Sequence, residues 1–255
     1  MIVEIKNLKK AEQFVQIFQN LKLFTTNLNI SFRKEQVYIQ GMDSSHVSLF
    51  EVKLAKTWFD VYDIEEDTVI GLNVSILFKI LHIRSDTQTI TLINNEDNLD
   101  IELKSDIKTE YDKFFTLPLI DIDDEELGIP DVDSTLIFSM ESKKFKLLID
   151  QFSNFGEDIE FKYADDELMV LSDNNTEGSM KINIKLDDME SCEVEEDANF
   201  KSSYNLKIIS NMAQFHKLSN DVYLHISSGM PFQINYNLDE DNYLRFFLAP
   251  RIGDD

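Results

Sequence analysis

Few residues in this chain have the types and spacing that catalysis requires. Ser44, Ser45 and His46 could supply a nucleophile and a base, but neighbouring side chains in one turn rarely reach each other in the required geometry. Residues 173–178 (DNNTEG) resemble the start of a calcium-binding loop, yet Ile184 stands where that loop needs a bidentate glutamate. The seven glycines form no phosphate-binding loop, and the four histidines are scattered along the chain. We therefore expect no catalytic residue, no cofactor and no metal.

The basic residues are more informative, because they concentrate on predicted helices. Apolar residues at helical spacing predict helices at 9–24, 73–84, 141–155 and 204–218. These segments hold ten of the 24 lysines and arginines but only three of the 48 acids, in a chain whose formal charge is −24. A solvated lysine face on one helix would be ordinary. Four helices that avoid acids favour loose, sequence-independent and salt-sensitive contact with nucleic-acid phosphates.

The elements that position these helices repeat in the two halves of the chain. Each half reads as a strand, a helix, several strands, a second helix and several more strands. A length of 255 residues suits two domains, and antiparallel strands with two helices in each half indicate an α+β fold. We predict similar domains at 1–118 and 134–255, joined by a connector at 119–133. The segment 187–197 reads as an acidic loop.

The connector is strongly acidic and yet contains regularly placed apolar residues. Residues 118–133 include seven acids and no base, and Gly128 and Pro130 prevent a long helix. The segment also differs from a flexible Gly- and Ser-rich tether. We interpret it as an extended strap held down by a few apolar anchors, namely Leu119, Ile122, Leu127 and Ile129.

Composition excludes several classes of protein. The net charge argues against anionic membranes and, taken as an average, against nucleic acid. Cys192 is the only cysteine, which excludes an intrachain disulfide and a cysteine-based zinc site and favours a reducing compartment. The N-terminus lacks signal-peptide features, and no apolar run approaches the ~18 residues of a membrane span. We expect a soluble intracellular protein.

Three segments carry a family resemblance: residues 42–49 (MDSSHVSL), 127–130 (LGIP) and 243–252 (YLRFFLAPRI). They resemble the signature of eukaryotic-type sliding clamps, the proliferating cell nuclear antigen (PCNA) family. The resemblance implies a DNA clamp fold, in which three chains form a six-domain ring whose helices line a hole around duplex DNA. Such a ring is a DNA polymerase processivity factor that an ATP-dependent loader opens. It recruits replication and repair proteins through short PIP-box peptides.

The resemblance also implies three sets of site residues. The partner-peptide pocket would comprise Met42, His46, Leu49, Leu127, Ile129, Pro231, Phe247, Ala249 and Pro250. The DNA-facing set would comprise Lys10, Lys22, Lys79, Arg84, Lys143, Lys146, Lys207 and Lys217. At the subunit interface of a homotrimer, the strand with Phe114, Phe115 and Leu117 would pair with the next chain's strand, which contains Met180, Ile182 and Ile184.

The chain departs from the family pattern at several positions. Phe247 stands where most members carry Tyr, and Val15, Gln16 and Asp150 occupy DNA-lining positions that are often basic. Low glycine with many Ile, Asn and Lys suggests the AT-rich genome of a protist or a large DNA virus, so we expect the nucleus or a cytoplasmic viral replication site. The alternatives are a subunit of a heterotrimeric or checkpoint-type clamp, an acidic DNA-mimic or peptide-binding scaffold that never encircles DNA and, more remotely, an esterase-like enzyme.

Overall fold

The computed structural model describes residues 1–123, 125–129, 134–174, 176, 178–186, 189 and 191–251. These residues cluster into two units, each of which takes a short segment from the part of the chain that mostly builds the other. The first unit comprises Met1–Ser44, Glu51–Leu127 and Asp239–Tyr243. The second comprises Ser45–Phe50 and the described residues of 128–238 and from 244 onward. Residues 124 and 130–133 of the predicted connector lie outside the described residues.

The first unit combines two sheets with two helices. Its strands are β1 (Ile2–Ile5), β2 (Asn27–Arg33), β3 (Gln36–Met42), most of β4 (Ser48–Ala55), β5 (Val61–Asp63), β6 (Thr68–Asn73), β7 (Thr89–Asn95), β8 (Asn98–Lys104) and β9 (Lys113–Pro118). Its helices are α1 (Leu8–Leu21) and α2 (Val74–Leu81). One sheet has the order β5-β1-β7-β8-β9, and in the other the neighbours are β4-β3-β2-β6. Helices α1 and α2 pack against each other; α1 also contacts β1 and β7, and α2 contacts β6 and β9.

The second unit has the same plan. Its strands are β10 (Leu136–Glu141), β11 (Asp158–Ala164), β12 (Glu167–Asn174), β13 (Gly178–Lys185), β14 (Ser191–Val194), β15 (Phe200–Asn205), β16 (Asp221–Ile226), β17 (Phe232–Asn237) and most of β18 (Tyr243–Leu248). Its helices are α3 (Ser142–Phe152) and α4 (Leu206–Met212), and the 3-10 turn Ala213–Lys217 follows α4. The strand orders are β13-β12-β11-β15 and β14-β10-β16-β17-β18.

Local signals set the helix boundaries. The side chains of Asn7, Asn73 and Asn205 accept hydrogen bonds from the first backbone N–H groups of α1, α2 and α4, which is how asparagine caps a helix. Each helix then buries an apolar stripe at the expected spacing, as Phe14 and Phe18 do in α1. All four helices are shorter than predicted, and the fourth becomes 3-10 after Met212. No helix in the described part of the chain is long and apolar enough to cross a membrane.

The predicted acidic loop at 187–197 is wrong in part, because it contains β14. This strand pairs with β10, with Glu193 opposite Ile137 and Cys192 opposite Phe138. The sequence gives no period-two signal here because β14 ends its sheet and three of its four residues are exposed. Residues 187, 188 and 190 of the same segment lie outside the described residues.

Candidate nucleic-acid and partner-binding surfaces

The basic residues of the first unit are mostly engaged within the chain. The Lys10 ammonium donates to the Trp58 carbonyl at 2.8 Å and lies 5.5 Å from the centre of the indole ring. The Lys22 ammonium lies 4.0 Å from the ring centre of Phe78, a cation–π contact. Lys79 differs, because it is exposed and forms no ion pair with any residue that the structure describes.

Arg84 is the most firmly held of these cations. Its Nη2 donates to a Glu12 carboxylate oxygen at 2.9 Å, and its Nη1 donates to the Ser85 and Gln88 carbonyls at 2.9 and 2.8 Å. The Arg84 side chain is only 3% exposed. We therefore leave Arg84 out of the DNA-facing set, since its side chain has almost no exposed surface to offer a phosphate.

Val15, which the family resemblance places at a DNA-lining position, does not lie on the surface. Val15 is 7% exposed and belongs to the buried stripe of α1, so its side chain does not line a surface. Its neighbour Gln16 is partly exposed and donates from Nε2 to Glu12 at 3.0 Å. The surface of α1 is thus amide and carboxylate rather than cationic at this point.

The second unit keeps more of its positive charge exposed. Lys143, Lys207 and Lys217 are all exposed, and none of them forms an ion pair with another described residue. Lys143 and Lys217 line one cleft of about 420 Å³, together with Glu141, His216, Ser219 and Asn220. Cations at the rim of an open cleft are well placed to attract an anionic backbone.

His216 and Lys146 complete this charged region. Lys146 forms an ion pair with Asp150 one helical turn further along α3. Burial is the main cause that lowers the pKa of His216, and the charges of Lys146 and Lys217 lower it further. The contact with the Ala213 carbonyl and the charge of Asp150 act in the opposite direction and raise this pKa. The imidazole therefore adds little positive charge near neutral pH.

The described part of the connector crosses one face of the first unit and is held mainly by hydrogen bonds. Ile120 N donates to the Gly71 carbonyl at 2.9 Å, and Asn29 Nδ2 donates to the Ile122 carbonyl at 3.1 Å. Asn29 and Gly71 are opposite each other in the β2–β6 pair. A Cβ atom on Gly71 would lie 2.2 Å from the Ile120 carbonyl oxygen, so glycine is what allows this close crossing.

The connector is pinned again before the second unit begins. Glu126 pairs with Arg33, and the Gln40 side-chain amide binds both backbone groups of Leu127, accepting from its N–H at 2.7 Å and donating to its carbonyl at 2.8 Å. The Leu127 side chain is 48% exposed. The prediction that Leu127 is an apolar anchor is therefore wrong. Gln40 holds the Leu127 backbone, and the Leu127 side chain is exposed to solvent.

A polar network supports the Gln40 amide. Its Nε2 also lies 3.2 Å from the Tyr38 hydroxyl, which donates to Glu51 at 3.0 Å. Burial, and then the Glu51 charge, raise the pKa of Tyr38, so the hydroxyl remains a donor. Tyr38, Gln40 and Met42 alternate along β3 and share one face. Met42 belongs to the segment 42–49 that carries the family resemblance, whereas Gln40 and Gly71 belong to no recognisable motif and cannot be identified from the sequence.

The remaining pocket residues belong to the second unit. The Ala249 N–H donates to the Val47 carbonyl at 2.9 Å, which brings the segment of His46 and Leu49 beside the chain that follows β18. His46 is exposed with φ 56°, in the left-handed region. Ala249 is exposed, and the other members are half-buried, namely Leu49, Ile129, Pro231, Phe247 and Pro250.

The two strands assigned to the subunit interface both end their sheets. β9 is the last strand of the five-stranded sheet, and β13 is the last of the four-stranded sheet. On β9, Phe114 is 63% exposed and Phe115 is half-buried, whereas Leu117 is 1% exposed and lies in the core of its own unit. On β13, the residues of one face are half-buried, namely Met180, Ile182 and Ile184.

Two family models cover nearly all of the chain. The model described as Proliferating cell nuclear antigen, N-terminal domain, matches residues 2–126, and the model of the C-terminal domain matches residues 128–251. The chain belongs to the PCNA family. The two matches confirm the predicted family and the predicted two-domain DNA clamp fold. The family consists of non-enzymatic sliding clamps that act as DNA polymerase processivity factors.

Individual relatives match over nearly their full length. The PCNA of Chaetomium thermophilum is 28% identical over 97% of this chain and 98% of that protein. A probable DNA polymerase sliding clamp of Paramecium bursaria Chlorella virus 1 is 26% identical over 96% of this chain and 89% of that protein. The crystal structure of a PCNA2–PCNA3 complex from Sulfolobus tokodaii matches with a TM-score of 0.87 at 23% identity, over 98% of this chain and 99% of that one.

Proposed function

We propose that copies of this chain close into a three-membered ring that encircles duplex DNA and holds a DNA polymerase on it. The observation that carries the proposal is the exposure of four lysines in an otherwise strongly acidic PCNA-family chain. Lys79, Lys143 and Lys207 lie on helices, and Lys217 lies on the 3-10 turn that follows α4. In such a ring the helices would line the hole. Lysine side chains contact phosphates without reading bases, so the ring would slide along any sequence.

Ring closure would use β9 of one copy and β13 of the next. The proposal is supported by their position at the ends of their sheets, where unpaired N–H and C=O groups favour pairing with another strand. Phe114 and Phe115 would supply apolar contact, while the buried Leu117 would contribute through its backbone.

Partner proteins would bind as PIP-type peptides at the nine pocket residues. The strap supports this proposal, because Gln40 fixes the Leu127 backbone and leaves the Leu127 side chain exposed for an apolar partner. Phe247 offers no hydroxyl, so the pocket would favour apolar over hydrogen-bonding anchors. An ATP-dependent loader would open the ring, and the ring would act in the nucleus or at a viral replication site, without enzymatic activity of its own.

Encirclement is tested by loading the chain onto a nicked circular plasmid with an ATP-dependent clamp loader from a PCNA-family system. We expect the protein to coelute with the circular plasmid at a salt concentration that removes simple ionic binding, and to dissociate when a single cut linearises the DNA. Equal retention on circular and linear plasmid would show affinity without encirclement and would favour the acidic-scaffold alternative.

The mass of the purified chain separates the two kinds of clamp. Light scattering coupled to size-exclusion chromatography should give three times the chain mass of 29.7 kDa for a homotrimer. A stable monomer or dimer would instead favour a subunit of a heterotrimeric or checkpoint-type clamp.

The esterase alternative is tested by replacement of Ser45 by Ala. The variant should load onto DNA like the wild type, since only the esterase alternative needs the Ser45 hydroxyl.

A further inference from the structure

We propose that Asp150 lowers the affinity of the clamp for DNA by holding Lys146 in an intrachain ion pair. The inference rests on the proposed function, because it assigns a role to one residue on a helix that would face DNA. It concerns the strength of the contact and not whether the ring encircles DNA.

The pair lies on the surface of α3, one turn apart. The Lys146 ammonium donates to an Asp150 carboxylate oxygen, and the lysine side chain is 17% exposed while the aspartate is 47% exposed. Lys146 precedes Asp150, which is the less favourable order for an ion pair in a helix. Solvent reaches the Asp150 carboxylate and screens the pair, so loss of the pair should leave the fold intact.

Asp150 sits within the most cationic part of the second unit. α3 packs against the turn that carries His216 and Lys217, and the charges of Lys146, Lys217 and Asp150 all act on the His216 imidazole. In this group Asp150 is a carboxylate that both neutralises a lysine and would repel an approaching phosphate. Glu141 is a second acid of the region, but its contact with Lys144 is long, at 3.7 Å.

The first unit contains a superficially similar pair that should behave differently. Glu12 binds Arg84, but Arg84 is 3% exposed and also donates to two backbone carbonyls. Removal of the Glu12 charge would therefore leave the guanidinium where it is. Among the described residues the Lys146 ammonium donates only to Asp150, so removal of that carboxylate would release it.

The test is Asp150→Asn, with Glu160→Gln as the matched control. Glu160 pairs with Lys201 at 3.0 Å on β11 of the same unit, so both variants remove one carboxylate from one lysine pair and change the net charge equally. Glu160 alternates with the buried Ile159 and Phe161 and so lies on the sheet face opposite the core.

Duplex affinity is measured over a series of salt concentrations. For Asp150→Asn we expect about threefold to tenfold tighter binding at low salt and a salt slope that is steeper by up to roughly one unit per new phosphate contact. For Glu160→Gln we expect wild-type values within about twofold. Equal behaviour of the two variants would overturn the inference, and thermal unfolding of both confirms that they fold.

A second variant tests the route through Lys146. In Lys146→Met alone the affinity should fall below that of the wild type, because Asp150 is then an unpaired carboxylate that repels phosphate. In the Lys146→Met and Asp150→Asn double variant the affinity should return to near the wild-type value, so that most of the gain seen with Asp150→Asn vanishes. A gain that persists in the double variant would contradict the role of Lys146. Plasmid loading of the wild type is scored in parallel: its failure refutes encirclement, whereas loading with an unchanged Asp150→Asn slope refutes only this inference.

Discussion

The two units share one plan of sheets and helices, yet they use their helix cations differently. In the first unit Lys10, Lys22 and Arg84 contact Trp58, Phe78 and Glu12, and of these three only Lys22 is exposed. In the second unit Lys143, Lys207 and Lys217 are exposed. The comparison indicates that a count of basic residues per helix overstates the charge that the first unit offers to DNA.

The sheets differ as well. In the described residues, the connector crosses β6, β2 and β3 of the first unit through hydrogen bonds to Gly71, Asn29 and Gln40. In the second unit, Arg251 makes a different attachment, donating to the Ser203 carbonyl at 2.7 Å and to Asp158 at 2.8 Å. The sheets therefore hold different segments: β2, β3 and β6 of the first unit hold the strap, and β11 and β15 of the second unit hold Arg251.

The largest effect is expected from the strap. Replacement of Leu127 and Ile129 by Ala should abolish binding of a fluorescent PIP-type peptide, because it removes the apolar side chains that the strap would present. The mass of the assembly should not change, since neither residue lies on β9 or β13. Normal peptide affinity measured by fluorescence anisotropy would show that the pocket assignment is wrong.

The crossing at Gly71 should be sensitive to a single methyl group. Gly71→Ala would place a Cβ against the Ile120 carbonyl, and we expect it to reduce the free energy of unfolding by about 2 kcal/mol. Gly128→Ala is the control, because a Cβ there meets nothing within 4 Å and the change in the unfolded chain is the same. Denaturant titration that gave both variants equal stability would contradict the tight crossing.

The difference in helix charge is tested with two triple variants that each remove three lysines. Replacement of Lys143, Lys207 and Lys217 by Ala should weaken duplex binding about tenfold and reduce the salt slope by up to roughly one unit per lost contact. Replacement of Lys10, Lys22 and Lys79 by Ala should weaken it by about threefold or less. If the first-unit variant lost as much affinity as the second, the proposed difference in available helix charge would be contradicted.

The smallest effect concerns acid stability in the second unit. Burial, and then Arg245, lower the pKa of His225, whose Nε2 lies 3.0 Å from Asn235 Nδ2 and must be unprotonated to accept from it. Since the unfolded chain binds this proton first, the contribution of His225 to stability is intact above the ordinary pKa of 6.5 and declines as the pH falls below it.

His225→Gln should therefore flatten the pH dependence of the unfolding free energy between about pH 5 and 7. Denaturant titrations at several pH values measure this slope. An unchanged slope would mean that protonation of His225 is not linked to unfolding. His216, whose pKa is also lowered, should keep part of the dependence in the variant.

The sequence by itself determined the α+β class, the two-fold repeat, the four amphipathic helices and the membership of the PCNA family. These follow from local periodicity and from short contiguous motifs, which need no knowledge of the fold. Only the tertiary structure decided which cations remain exposed, because Lys10 contacts Trp58 across 48 residues and Arg84 contacts Glu12 across 72. It likewise decided that Gly71 and Gln40 hold the strap, since hydrogen bonds between distant segments leave no periodic trace in the sequence.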